Sequence, residues 1–90
     1  MVSEELEYGA DAAGKFAELT IPEKETLINN WICSERDRYI LKRRLIDGKS
    51  FVKIEEELEH DPRFEYITYR QIQNVFYAGR QILYNHIKFS

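Results

Sequence analysis

Five residues near the C-terminal end combine types and spacing suited to reading an ordered array of hydrogen-bond donors and acceptors: Tyr69, Arg70, Gln73, Asn74 and Tyr77. At the helical period they fall on one face. Arg carries a planar fork of donors that matches guanine, and the Gln and Asn amides donate and accept together, which matches adenine. Tyr reaches phosphate or packs on a thymine methyl. No Asp or Glu follows Glu65, so this segment sets no carboxylate against a phosphate backbone. A second set, Arg36, Lys42, Arg43, Arg44, Lys49, Lys53 and Arg80, offers positive charge suited to contacts that fix register on a duplex without reading it. Spacing alone leaves open which of Lys42, Arg43 and Arg44 share a side.

Chemistry of other kinds finds little support. Cys33 is the sole cysteine, with no His/Asp pair to activate it and no second thiol for a disulfide or a zinc site. His60 and His86 lie far apart in sequence and lack neighbouring ligands. No phosphate-binding loop or nucleophile motif is present. The expectation is a protein that is no enzyme and uses no cofactor or metal.

The candidate residues need a scaffold, and helix signals supply one. Thr20, Pro22 and Glu23 form a capping-box start, followed by Leu27, Ile28, Trp31 and Ile32 on one stripe. A helix is expected from there to about Cys33, with Trp31 as a core anchor. Ser34 and Asp37 repeat the cap, and Gly48 suits a left-handed terminus, which predicts a helix over 35–47 with Ile40, Leu41 and Leu45 inward. Ser50 starts a short helix over 51–59 with Phe51, Ile54 and Leu58 inward and an acidic outer face of Glu55, Glu56, Glu57 and Glu59. Pro62 ends it, and Phe64 to Ile67 reads as a connector. Thr68 and Gln71 open the longest helix, 69–87, whose inner stripe is Ile72, Val75, Phe76, Gly79, Leu83 and Ile87.

The fold class is therefore all-α: a small helical bundle with a helix-turn-helix, four main helices and a loose acidic N-terminal segment. Ninety residues hold one core, divided into a tail or accessory segment over 1–19, with short helical pieces, and a domain over 20–90. A hydrophobic share of 43% is enough to pack it. The net charge of −3 opposes a nucleic-acid partner only on average. Residues 1–34 carry Lys15 and Lys24 against seven acids, whereas residues 35–90 carry eleven Lys or Arg against nine Asp or Glu. No apolar run is long enough to span a bilayer and the N-terminus is acidic where a leader is basic, so a cytoplasmic protein without membrane attachment is expected.

From Glu35 to Leu58 the order of a helix ending near Gly48, a cap at Ser50 and an anchor at Ile54 resembles the promoter-reading C-terminal domain of sigma factors. Ile67 to Val75, with a capping Thr68 and an anchoring Ile72, is similar to that family's recognition helix. The pattern is nearest to short sigma-like regulators of phages and mobile elements of Gram-positive bacteria, and it covers residues 35–87. Three departures stand out: His60 to Arg63 lengthen the connector, Gln71, Gln73 and Asn74 replace residues often Arg or Glu, and Glu55 replaces a small residue. The resemblance implies a transcription regulator that binds double-stranded DNA, with RNA polymerase or another host protein and a second copy in a homodimer as candidate further partners. Two plainer readings stand beside it. The helical aromatics Phe76, Tyr77, Tyr84 and Phe89 suit a core or interface as well as base stacking, and a basic surface also serves solubility. The alternative function is a small phage-encoded, protein-binding helical domain that modulates a host protein through the acidic face at Glu55 to Glu59.

Overall fold

The computed structural model describes residues 12–89, with side chains through 87. The proposed acidic tail up to Asp11 lies outside the described residues. Five helices appear and no strand among the described residues: α1 (12–18), α2 (Ile21–Trp31), α3 (Glu35–Leu45), α4 (Phe51–His60) and α5 (Tyr69–Phe89).

Local chemistry sets each boundary. Thr20 and Glu23 exchange both capping bonds, Thr20 N–H to Glu23 Oε1 at 2.8 Å and Glu23 N–H to Thr20 Oγ1 at 3.3 Å, which satisfies amides that have no partner within the helix. α2 stops at Trp31, two residues before the expected end, because Ile32 turns extended (φ −109°) to bury its side chain. Ser34 caps α3 through the Asp37 amide. That helix closes at Leu45, and Gly48 alone among the described residues takes a positive φ, 70°. The closing bonds run from Asp47 and Lys49 amides back to the Lys42 and Arg43 carbonyls. A side chain at Gly48 would carry left-handed strain. Ser50 caps α4, and Thr68 with Gln71 caps α5 reciprocally.

The core gathers Ile28, Ile40, Leu41, Ile54, Leu58, Ile72, Phe76 and Leu83 from four helices, with Ile32 from the turn after α2. α5 is its axis, touching α2, α3 and α4. At Gly79 a Cβ would stand 2.5 Å from Leu41 Cδ1; the missing side chain lets α3 press onto α5. Two expectations are corrected. Trp31 is no core anchor: it is 45% exposed and stacks on the His86 ring at 3.4 Å between centroids. Its neighbour Ile32 takes the buried place instead. The accessory segment is part of the domain from residue 12 on, because Ala12 and Phe16, one helical turn apart, are both buried and Phe16 joins the core. No described helix is long and apolar enough to cross a membrane.

Candidate nucleic-acid interface

The first two and a half turns of α5 present Tyr69, Arg70, Asn74 and Tyr77 exposed and Gln73 half-buried. This follows from the inner stripe. Burial of Ile72, Phe76 and Leu83 against α3 and α4 fixes the rotation of the helix, so positions 69, 70, 73, 74 and 77 turn outward together.

Phe51, first residue of α4, couples this face to the rest of the bundle. Its ring meets Phe76, Tyr69 and Tyr77 edge-on at 5.3, 6.0 and 6.2 Å between centroids. Above it lies the Arg44 guanidinium, 4.5 Å from the ring centre, whose Nη1 donates to the Lys49 carbonyl at 3.1 Å. On the other side of Tyr77, the Arg80 guanidinium sits 5.1 Å from that ring, 5.4 Å from Phe76 and 5.7 Å from Tyr84. The aromatic residues are therefore partly core and partly a platform that holds two guanidinium groups beside the polar face. Lys49, Lys53 and Val52, the last 62% exposed, belong to the α4 start that Phe51 anchors there. Lys53 also pairs with Glu56 at 3.4 Å.

The remaining three cations go elsewhere. Arg36 pairs with Asp37 at 3.1 Å in the first turn of α3. Arg43 is the centre of a network: Nε donates to Glu57 Oε1 at 2.9 Å, Nη2 to Glu57 Oε2, and Nη1 to Asp47 at 2.9 Å, while the Tyr39 hydroxyl donates to the same Glu57 Oε1 at 2.9 Å. The Arg43 bonds hold the Glu57 carboxyl below its ordinary value, and Glu57 in turn pushes the Arg43 guanidinium up. Burial and the bond to Glu57 raise the Tyr39 hydroxyl. Lys42 lines a separate groove with Asn29, Glu35, Arg38, Tyr39, Arg63 and Phe64. Two residues on a helix turn the side chain by about 200°, so Lys42 and Arg44 point to opposite sides of α3.

The glutamates of α4 do not make one free acidic face. Glu57 turns in to Arg43, and Glu55 bonds backward: its Oε2 accepts the Tyr66 hydroxyl at 2.7 Å and the Tyr69 backbone amide at 2.9 Å. That bond raises the Tyr66 hydroxyl above its usual value. Glu55 and Tyr66 were not among the expected site residues. The one visible signal was the anomaly of a glutamate where a small residue is usual. His60 Nδ1 meets the Glu56 carbonyl at 2.9 Å and the His86 ring lies on Trp31, so the two histidines have separate partners.

Comparison with protein-family models, curated proteins and solved structures gives no significant match to the chain.

Proposed function

We propose that this protein is a sequence-specific, DNA-binding transcription regulator of the sigma-like helix-turn-helix type carried by phages or mobile elements. The observation that carries the reading is the α5 face of Tyr69, Arg70, Gln73, Asn74 and Tyr77, free of acids along the helix, with the Arg44 and Arg80 guanidinium groups on the aromatic rings beside it and Lys49 and Lys53 in the chain on either side of Phe51. In this reading the start of α5 enters the major groove while α4 braces it across the backbone. Arg70 pairs with guanine, Gln73 and Asn74 with adenine, and Tyr69 and Tyr77 contact phosphate or a thymine methyl. Arg44, Lys49, Lys53 and Arg80 neutralise phosphates. A second copy bound to the same duplex would set two reading helices about 34 Å apart, one turn of DNA, and contact with RNA polymerase would link binding to transcription.

The test is fluorescence polarisation against a pool of random duplexes at two salt concentrations, followed by selection of the tightest binders. Salt-sensitive binding with an enriched consensus is expected. Arg70→Ala with Gln73→Ala should abolish the consensus and retain most of the affinity for random DNA. Absence of binding at low salt refutes the reading and turns attention to protein partners.

A further inference from the structure

We infer that Glu55 is the positioning residue of the reading helix, an assignment that rests on the DNA-binding function proposed above. The problem it solves is geometric. A helix-turn-helix works only if the recognition helix holds a set angle to the helix before it, and here residues 61–68 separate α4 from α5. A connector of that length leaves the angle to tertiary contacts.

Beyond the packing of Phe51, Ile54 and Leu58 of α4 against α5, three contacts restrain the connector and the α5 start. Ile67 is buried in the core, the Phe64 ring tilts against Tyr39 at 5.6 Å, and Glu55 reaches from the second turn of α4 to the first residue of α5. The first two anchor the connector. Glu55 alone of the three bonds to the reading helix itself, through the Tyr69 amide, and its same oxygen takes the Tyr66 hydroxyl from the connector. One carboxylate oxygen thus joins α4, connector and α5 at the end of α5 that carries Tyr69 and Arg70. The bond to Tyr69 also satisfies an amide that the reciprocal Thr68 and Gln71 cap leaves open. An ionised acceptor makes such bonds stronger than neutral ones. A small residue at position 55 would remove the hydrogen bond that α4 makes to the α5 start, leaving that end to its own cap, the Phe51–Tyr69 ring contact and the packing of Ile67 and Ile72.

The experiment compares Glu55→Gln with Glu55→Ala in the full chain. Both remove the charge, so any general gain in attraction to DNA is common to the two. Gln keeps an oxygen that accepts from Tyr69 and Tyr66, and Ala does not. The readouts are amide hydrogen exchange at Tyr69 and the ratio of affinities for a selected duplex over random duplex. Expected are retained protection and a retained ratio in Glu55→Gln, and in Glu55→Ala faster exchange at Tyr69 with at least a tenfold lower ratio. Tyr66→Phe removes one bond from an exposed side chain and should lower the ratio a few-fold. It serves as the test should Glu55→Ala fail to fold. Unchanged Tyr69 exchange in Glu55→Ala overturns the clamp whatever DNA does. Faster exchange with an unchanged ratio overturns the positioning role. Failure of the wild-type protein to bind any duplex overturns the underlying function and this role with it, while exchange still reports on the clamp.

Discussion

Replacing Glu57 by Ala removes the centre of the polar network between α3 and α4, and its cost can be worked from the contacts. Glu57 takes two bonds from the Arg43 guanidinium and one from the Tyr39 hydroxyl. Hydrogen bonds to charged groups contribute about 1.5–3 kcal/mol each in favourable cases. The two Arg43 bonds belong to one bidentate pair, and the side chains retain 25% and 19% exposure, so water replaces part of what is lost. Arg43 also keeps Asp47 as a partner. The net loss is therefore about 2 kcal/mol, which for a domain of this size lowers the melting temperature by about 10 °C. Urea titration followed by circular dichroism measures it directly, with an unchanged slope expected if only the folded state is affected. The pH dependence supplies a second check. The folded carboxyl is held below its usual value of 4.5, so its contribution is complete above that value and disappears as pH falls through the lower folded one. The gap between wild type and Glu57→Ala should be full at pH 7 and should narrow as pH falls below 4.5. A gap under about 0.5 kcal/mol at pH 7, within the range of ordinary surface substitutions, would refute the assignment of a structural role to this pair, as would a gap that does not narrow as pH falls below 4.5.

Three further outcomes are expected. Arg44→Ala and Lys49→Ala should each weaken binding to all duplexes and reduce the salt slope by about one, whereas Lys42→Ala, on the opposite side of α3, should leave affinity and slope near wild type; equal effects from Lys42 and Arg44 would displace the interface. Gly79→Ala gains about 1 kcal/mol of helix propensity but drives a methyl into the buried Leu41 side chain, and overpacking of about 1–3 kcal/mol should leave the variant less stable by urea titration, with Leu41→Ala and Gly79→Ala coupling favourably in a double-mutant cycle. His86→Ala uncovers one face of Trp31, the single tryptophan, so its emission should shift to longer wavelength and iodide quenching should increase while the fold persists.

Helix start points were legible because each rests on local chemistry. Thr20, Ser34, Ser50 and Thr68 are short polar side chains that bond an amide within the next turn, and nothing distant takes part. The inward stripes of α3, α4 and α5 were legible for a similar reason: a period of 3.6 carries the apolar face in the order of residues. Trp31 shows where this stops. It lies on the right stripe, but the helix ends there: the chain turns extended at Ile32, whose side chain is buried, while Trp31 stays half-exposed on the His86 ring. No local pattern records which of the two is buried. Phe16 is the converse, a lone aromatic in a weakly periodic segment that becomes core because α1 folds back beside Lys24 and α2.

The seven cations show the same division more sharply. Their types and charges are properties of the sequence, and so is the outward polar face of α5. Which cations serve that face is a matter of partners far along the chain. Arg43 and Arg44 are neighbours, yet one is drawn to Glu57, 14 positions on, and the other lies over Phe51 beside Tyr77. Glu55 bonds an amide 14 positions away. The sequence by itself determined the helices, their caps and their apolar faces, because those depend on residues within a turn or two of one another. Only the tertiary structure decided which charges became part of the scaffold and which stayed beside the polar face of α5, because that depends on what packing brings within a few ångströms.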